Sequence, residues 1–352
     1  MRTHPSIVEA TRLTREGRLG DATALLREML GRVVNTPPVA EPLVLHNQPA
    51  PLPAPSGAPD IQAAEKVRHV APGRFETLVH ASPQGRMTYK LYVPTAVAAG
   101  APLIVMLHGC TQTADDFARG TGMNRLADQA GFLVAYPEQP KSANPSRCWN
   151  WFRPGDQRRG AGEPALIAGL TREIIARHRV DPARVFVAGL SAGGAAAAIM
   201  GETYPDLFAA VGVHSGLACG AANDIASAMM AMRRGGGKTT ARPSSAFIPT
   251  ITFHGDRDTT VDKVNSDEII ERANRGRRTP LSSEILQGTN PAGRTHIRRV
   301  LRDEQGRARL EQWTIHGAGH AWAGGDPAGS YADPAGPDAS REMIRFFLGQ
   351  SA

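Results

Sequence analysis

One serine, one aspartate and one histidine, each set just past an apolar run, carry the chemistry of this chain. Gly189-Leu190-Ser191-Ala192-Gly193 is the only G-x-S-x-G in the sequence. The apolar strand candidate RVFVA leads into it, and the small-residue run GAAAAIM follows. That context suits a tight strand-to-helix turn that lifts a serine hydroxyl above a sheet edge. The helix N-terminus placed there favours developing negative charge. A serine hydroxyl is a poor nucleophile unless a base takes its proton, and the base needs an acid to orient it. Two later segments offer these groups. PTITFHGDRDTTV presents Asp256, Asp258 and Asp262, and WTIHGAGHAW presents His316 and His320. Asp258 is the preferred acid, because it lies just past the turn at His254-Gly255. Asp256 is the second choice, and Asp262 reads as the start of the next helix. His320 is the preferred base, because it sits in a glycine-bearing loop, whereas His316 reads as the strand end. His254 and His214 read as satisfied histidines near strand ends.

Acyl transfer also needs hydrogen-bond donors aimed at the oxyanion. The N–H of Ala192 is one candidate. The loop Leu107-His108-Gly109-Cys110-Thr111-Gln112 offers the other, at Cys110 with Thr111 as the alternative. Trp149, Trp151 and Trp322 are candidates to line a substrate pocket. Covering the core near the sheet edge is the competing role for Trp149 and Trp151.

These groups need a scaffold that brings strand ends together. FETLVH and RMTYKLYV alternate across Pro83, Gln84 and Gly85, which predicts an antiparallel hairpin. Buried runs follow at 102–108, 131–137, 184–190, 209–215, 249–255 and 310–317, with helical stretches such as ALIAGLTREIIARH between most of them. Strands alternating with helices predict an α/β domain over residues 74–352, its mainly parallel sheet covered on both faces. With the serine turn and the order Ser, acid, His, this pattern predicts the α/β-hydrolase fold. The final REMIRFFLG is expected to be a helix on that sheet. Ahead of this domain, residues 1–34 read as a helical hairpin and residues 35–73 as a Pro/Ala-rich linker.

Composition narrows the function classes. The chain has 352 residues, 41% of them hydrophobic, enough for one large core. The net charge of +7 is mild, the arginines are scattered, and aromatics make up 5%. Nucleic acid is therefore not an expected partner. The three cysteines do not have zinc-site spacing, and neither metal nor cofactor is expected. No apolar run is long enough to span a membrane. The opening residues lack the apolar core of a signal peptide, so a cytoplasmic protein is expected. The sequence does not set the oligomeric state.

The sequence resembles the polyhydroxybutyrate depolymerase family of esterases, which includes feruloyl and acetylxylan esterase relatives. The matching segments are LHGCTQTADDFA, CWNWF with RRGAGEP, GLSAGGAAA, HSGLACGAA, FHGDRDTTV and GAGHAWAGG, followed by GSYADPAGPDAS. They run in family order over residues 75–348. The resemblance implies a serine carboxylic ester hydrolase with its triad on Ser191, Asp258 and His320. It also implies an ester substrate of a short hydroxyacid or a plant-wall acid; a serine peptidase and a non-catalytic binding protein on the same fold are the competing readings. Many depolymerases are exported and carry a polymer-binding domain; neither feature is visible here, which points to oligomers, amorphous polymer or small soluble esters. Cys110 follows the oxyanion turn and Cys148 opens the tryptophan loop. Both segments belong at one sheet edge, so these two are expected to be neighbours able to form a disulfide, with Cys219 free. Two unpaired buried thiols are the alternative, and a cytoplasmic setting would favour it.

Overall fold

The computed structural model describes residues 73–237, 246–275 and 279–350. The hairpin and linker expected ahead of the α/β domain lie outside these residues. A ten-stranded sheet runs in the order β1-β2-β4-β3-β5-β6-β7-β10-β9-β8. Its centre is β4 (Leu133–Pro137), β3 (Leu103–Leu107), β5 (Val185–Leu190), β6 (Ala210–His214), β7 (Thr250–Gly255) and β10 (Ala308–Ile315). These six pair in parallel. The five strands from β3 to β7 are buried along their whole lengths, as continuous apolar runs such as LIVML and VFVAGL require.

Antiparallel strands flank this centre on both sides. β1 (Arg74–Ser82) and β2 (Gly85–Val93) form the hairpin read from sequence, and β2 also pairs antiparallel with β4. On the other side β9 (Thr295–Arg302) and β8 (Ser282–Thr289) extend the sheet beyond β10. Sequence periodicity did not find β8 and β9. β8 has no buried residue, and β9 buries only Val300 and Leu301. A solvated wing strand carries little of the apolar alternation by which strands are recognised.

Helices cover both faces. α3 (Gly162–His178) and α4 (Ala192–Thr203) pack with Leu103, Val105, Val187 and Val213 on one face. α1 (Ala114–Thr121), α2 (Met123–Ala130) and the C-terminal α7 (Ala339–Leu348) pack with Ile104, Val134, Phe186 and Phe253 on the other. Alternate residues of one strand thus feed two cores. α5 (Ile225–Arg234) and α6 (Val264–Arg275) complete the set. No helix among the described residues is long and apolar enough to cross a membrane.

Candidate active site

The C-terminal ends of β3, β5, β6, β7 and β10 gather the residues that matter. Ser191 joins β5 to α4 with φ +57° and ψ −120°. A non-glycine residue there is strained by about 1–3 kcal/mol, and the fold must hold it. The flanking glycines show how. A Cβ on Gly193 would run into the carbonyl of Leu107 on β3, and one on Gly189 would strike the carbonyl of Gly193. The spacing of G-x-S-x-G is therefore the close approach of α4 to two strand ends. The Ser191 N–H donates to the carbonyl of His214, and its carbonyl accepts from Ala195 in the first helical turn, both at 2.9 Å.

The two aspartate–histidine pairs sort cleanly. His320 Nδ1 lies 2.6 Å from Asp258 Oδ2. The other oxygen of Asp258 accepts the N–H groups of Thr260 and Val261, both at 2.9 Å. His254 stands 3.5 Å from Asp258 and donates to the carbonyl of Val261, so it is satisfied. The Asp258 side chain is fully buried. Burial opposes its charge, but His320, the Val261 N–H and His254 together hold its pKa below the ordinary carboxylate value. Asp256 instead binds His316 at 2.8 Å and the Gly317 N–H at 2.7 Å, with both side chains substantially exposed. The second choice of acid is thus committed to the other histidine. No hydrogen bond joins the Ser191 hydroxyl to His320 among the described residues. Such contacts often close only when substrate binds.

His214 sits between the serine and the histidine loop. Its Nε2 accepts the Ala323 N–H at 3.0 Å, and Trp322 stacks on its ring at 5.2 Å. Burial and the nearby His254 and His320 push its pKa down to about 3, so it is a neutral strut. A short parallel pairing of β11 (Trp322–Ala323) with β12 (Ala332–Asp333) shapes the loop beyond His320.

The loop after β3 narrows one open choice. The Thr111 N–H is taken by the carbonyl of Ser146 at 2.7 Å, which removes Thr111 as a donor. No acceptor among the described residues takes the N–H of Cys110 or of Ala192. Cys110 is bonded to Cys148 with Cα atoms 4.2 Å apart, and Cys219 is free and buried. Burial raises the Cys219 thiol to about 12, so it is inert.

Trp149 and Trp322 are buried and Trp151 is nearly so, which favours the core-covering role weighed for Trp149 and Trp151. Trp149 donates to the carbonyl of His108 at 3.0 Å, and Trp322 donates to Ser340 at 3.0 Å. They hold site loops in place. Sequence reasoning missed Tyr331, which is 45% exposed, has φ +52° and places its hydroxyl 3.2 Å from that of Thr111. Tyr331 thereby bridges the loop after His320 to the loop after β3. The neighbouring Ser330 is wired to the same loop through Gln112 and Asp116. Four of the six left-handed non-glycine residues among those described, Thr111, Ser191, Ser215 and Tyr331, lie in these segments. Strain concentrated at one sheet edge makes these segments the candidate functional site.

Known proteins share the sequence and fold of this chain. The family model for esterase PHB depolymerase matches residues 87–278. Poly(3-hydroxyalkanoate) depolymerase C of Paucimonas lemoignei is 34% identical over 250 residues, covering 67% of this chain and 58% of that protein. Feruloyl esterase B of Neurospora crassa is 40% identical over 128 residues, covering 36% of this chain and 43% of that protein. The chain thus spans about half the length of these curated relatives. Among solved structures, the acetyl xylan esterase from Aspergillus awamori superposes with a TM-score of 0.60 at 21% identity, covering 79% of this chain and all of that one. That likeness is one of fold. With the model match spanning more than half its length, the chain belongs to the esterase PHB depolymerase family.

Proposed function

We propose that the protein is a serine carboxylic ester hydrolase working through an acyl-enzyme, with short hydroxyalkanoate esters or oligomers as substrates. The observation that carries this reading is the buried Asp258–His320 pair at the same sheet edge as the strained Ser191. With the proton on Nδ1 held by Asp258, the Nε2 of His320 is the basic nitrogen. It takes the Ser191 proton as Oγ attacks the ester carbonyl. The carbonyl oxygen becomes an anion and accepts the N–H groups of Cys110 and Ala192. The C–O bond to the alcohol then breaks, and His320 returns its proton to the departing alcohol. Water repeats the sequence: it gives a proton to His320 and attacks the acyl carbon, the bond from that carbon to Ser191 Oγ breaks, and His320 returns the proton to Oγ as the acid leaves. The depolymerase relative supports a hydroxyalkanoate acyl group.

A feruloyl or acetylxylan substrate is the second reading, supported by the relatives that carry those names. A substrate panel separates the two. Hydroxybutyrate dimers and trimers, methyl ferulate, acetylated xylo-oligosaccharides and a peptide amide are compared by kcat/KM. The proposal expects the hydroxybutyrate oligomers to be fastest. Faster methyl ferulate or acetylated sugar would move the assignment to the second reading, and cleavage of the peptide alone would overturn the esterase.

A further inference from the structure

Behind the oxyanion loop lies a buried carboxylate that the triad does not use. Glu163 stands in the first turn of α3 and is 8% exposed. Every hydrogen-bond partner of its carboxyl group is a donor, while burial and the nearby Asp156 carboxylate push its pKa up to about 7. The Asn150 N–H reaches Oε2 at 2.9 Å, while the Asn150 amide at 2.6 Å and the Gln139 amide at 2.5 Å reach Oε1. Both partners are themselves buried.

Gln139 carries the contact onward. Its side-chain amide also donates to the carbonyl of Cys148 at 3.0 Å. Its main-chain N–H donates to His108 Nε2 at 3.1 Å. A backbone N–H can only donate, so Nε2 accepts and the ring proton sits on Nδ1. That proton is given to the carbonyl of Gly109 at 2.8 Å. Cys148 is bonded to Cys110, and Trp149 beside it holds the His108 carbonyl. Two routes therefore run from Glu163 through Gln139 to the residues on either side of the Cys110 N–H. A buried carboxyl group is costly to keep, and an apolar residue could fill the same volume. What the carboxyl group supplies is a pair of acceptor oxygens for three donors at once.

We infer that Glu163 is a positioning residue for ester hydrolysis: through Gln139 it fixes His108 and Cys148, and with them the direction of the oxyanion-binding N–H of Cys110. The inference rests on the acyl-enzyme reading above. Misaiming a donor by a fraction of an ångström weakens the transition state more than the bound ester, so the loss falls on kcat.

The test compares the full-length protein with Glu163→Gln, Gln139→Ala and Ser191→Ala. Hydrolysis of p-nitrophenyl acetate gives kcat and KM. Inhibition by an alkyl trifluoromethyl ketone, whose adduct places an anionic oxygen between the same N–H groups, reports on the oxyanion site directly. Glu163→Gln and Gln139→Ala are each expected to lower kcat on the order of ten- to a hundredfold. KM should stay within about threefold, and ketone affinity should fall in step with kcat. A folded variant of either kind with kcat and ketone affinity within about twofold of the parent overturns the inference. Gln139→Ala decides the matter if Glu163→Gln does not fold. Ser191→Ala separates the two failures: activity surviving there overturns the acyl-enzyme itself, whereas activity lost there but kept in the other two overturns only the role of Glu163.

Discussion

Acid should unfold this protein through His214, and the size of the effect follows from where the ring sits. His214 is buried against Trp322 and accepts the Ala323 N–H on Nε2. Its pKa falls from the ordinary 6.5 to about 3 in the fold, with burial the main cause. The unfolded chain therefore takes up a proton near pH 6.5 that the folded chain refuses until about pH 3. Across that window stability falls as pH falls, because the unfolded state binds more protons. The full span is worth on the order of 5 kcal/mol, and the part between pH 7.5 and 4.5 about 3 kcal/mol. His214→Gln keeps an oxygen near the Nε2 position but cannot titrate. Urea unfolding followed by tryptophan fluorescence at the two pH values should show the parent losing about 3 kcal/mol more than the variant. His108 and His254 are buried with pKa values shifted the same way, so they act in both proteins and cancel in the difference. Equal losses in parent and variant would refute the reasoning.

Further outcomes follow from the other contacts. Asp258→Asn should cut kcat by about 10⁴, because the amide favours the wrong histidine tautomer. Asp256→Asn should cost less than about tenfold, since Asp256 serves the exposed His316; steady-state kinetics that reverse the order would reassign the acid. Cys148→Ser opens a bridge between residues 38 apart in sequence and should lower unfolding stability by about 2–4 kcal/mol in urea without reductant. Unchanged stability there would mean that the bridge does not restrain the unfolded chain. Gly193→Ala should abolish activity with loss of soluble protein or of Ser191 reactivity, because the new methyl meets the Leu107 carbonyl. A fully active Gly193→Ala would contradict the close packing of α4 on β3.

The parts of this architecture legible in the sequence are those whose physics is local. Buried parallel strands read as unbroken apolar runs, and the tight serine turn reads as glycines at fixed spacing. Chain order and loop position favour Asp258 and His320, and the fold pairs them. What stayed hidden depends on tertiary surroundings. β8 is solvated along its length, so no pattern announces it. Trp149 and Trp322 look like pocket residues because they neighbour site loops, yet only three-dimensional packing shows that their faces are closed. Glu163 in RRGAGEP reads as an ordinary acidic first-turn residue. Its burial arises only when the Asn150 and Gln139 segments fold over it. Tyr331 lies in a loop with no periodicity, and its bridge to Thr111 spans 220 positions.

The acyl-enzyme on Ser191 is tested most directly by covalent capture. The intact protein is treated with a fluorophosphonate, weighed by mass spectrometry and digested to locate the adduct. The account predicts one adduct per chain, on the peptide containing Gly189-Leu190-Ser191-Ala192-Gly193, none in Ser191→Ala, and much slower labelling in His320→Ala. An unlabelled parent protein, or equal labelling of Ser191→Ala, would contradict it.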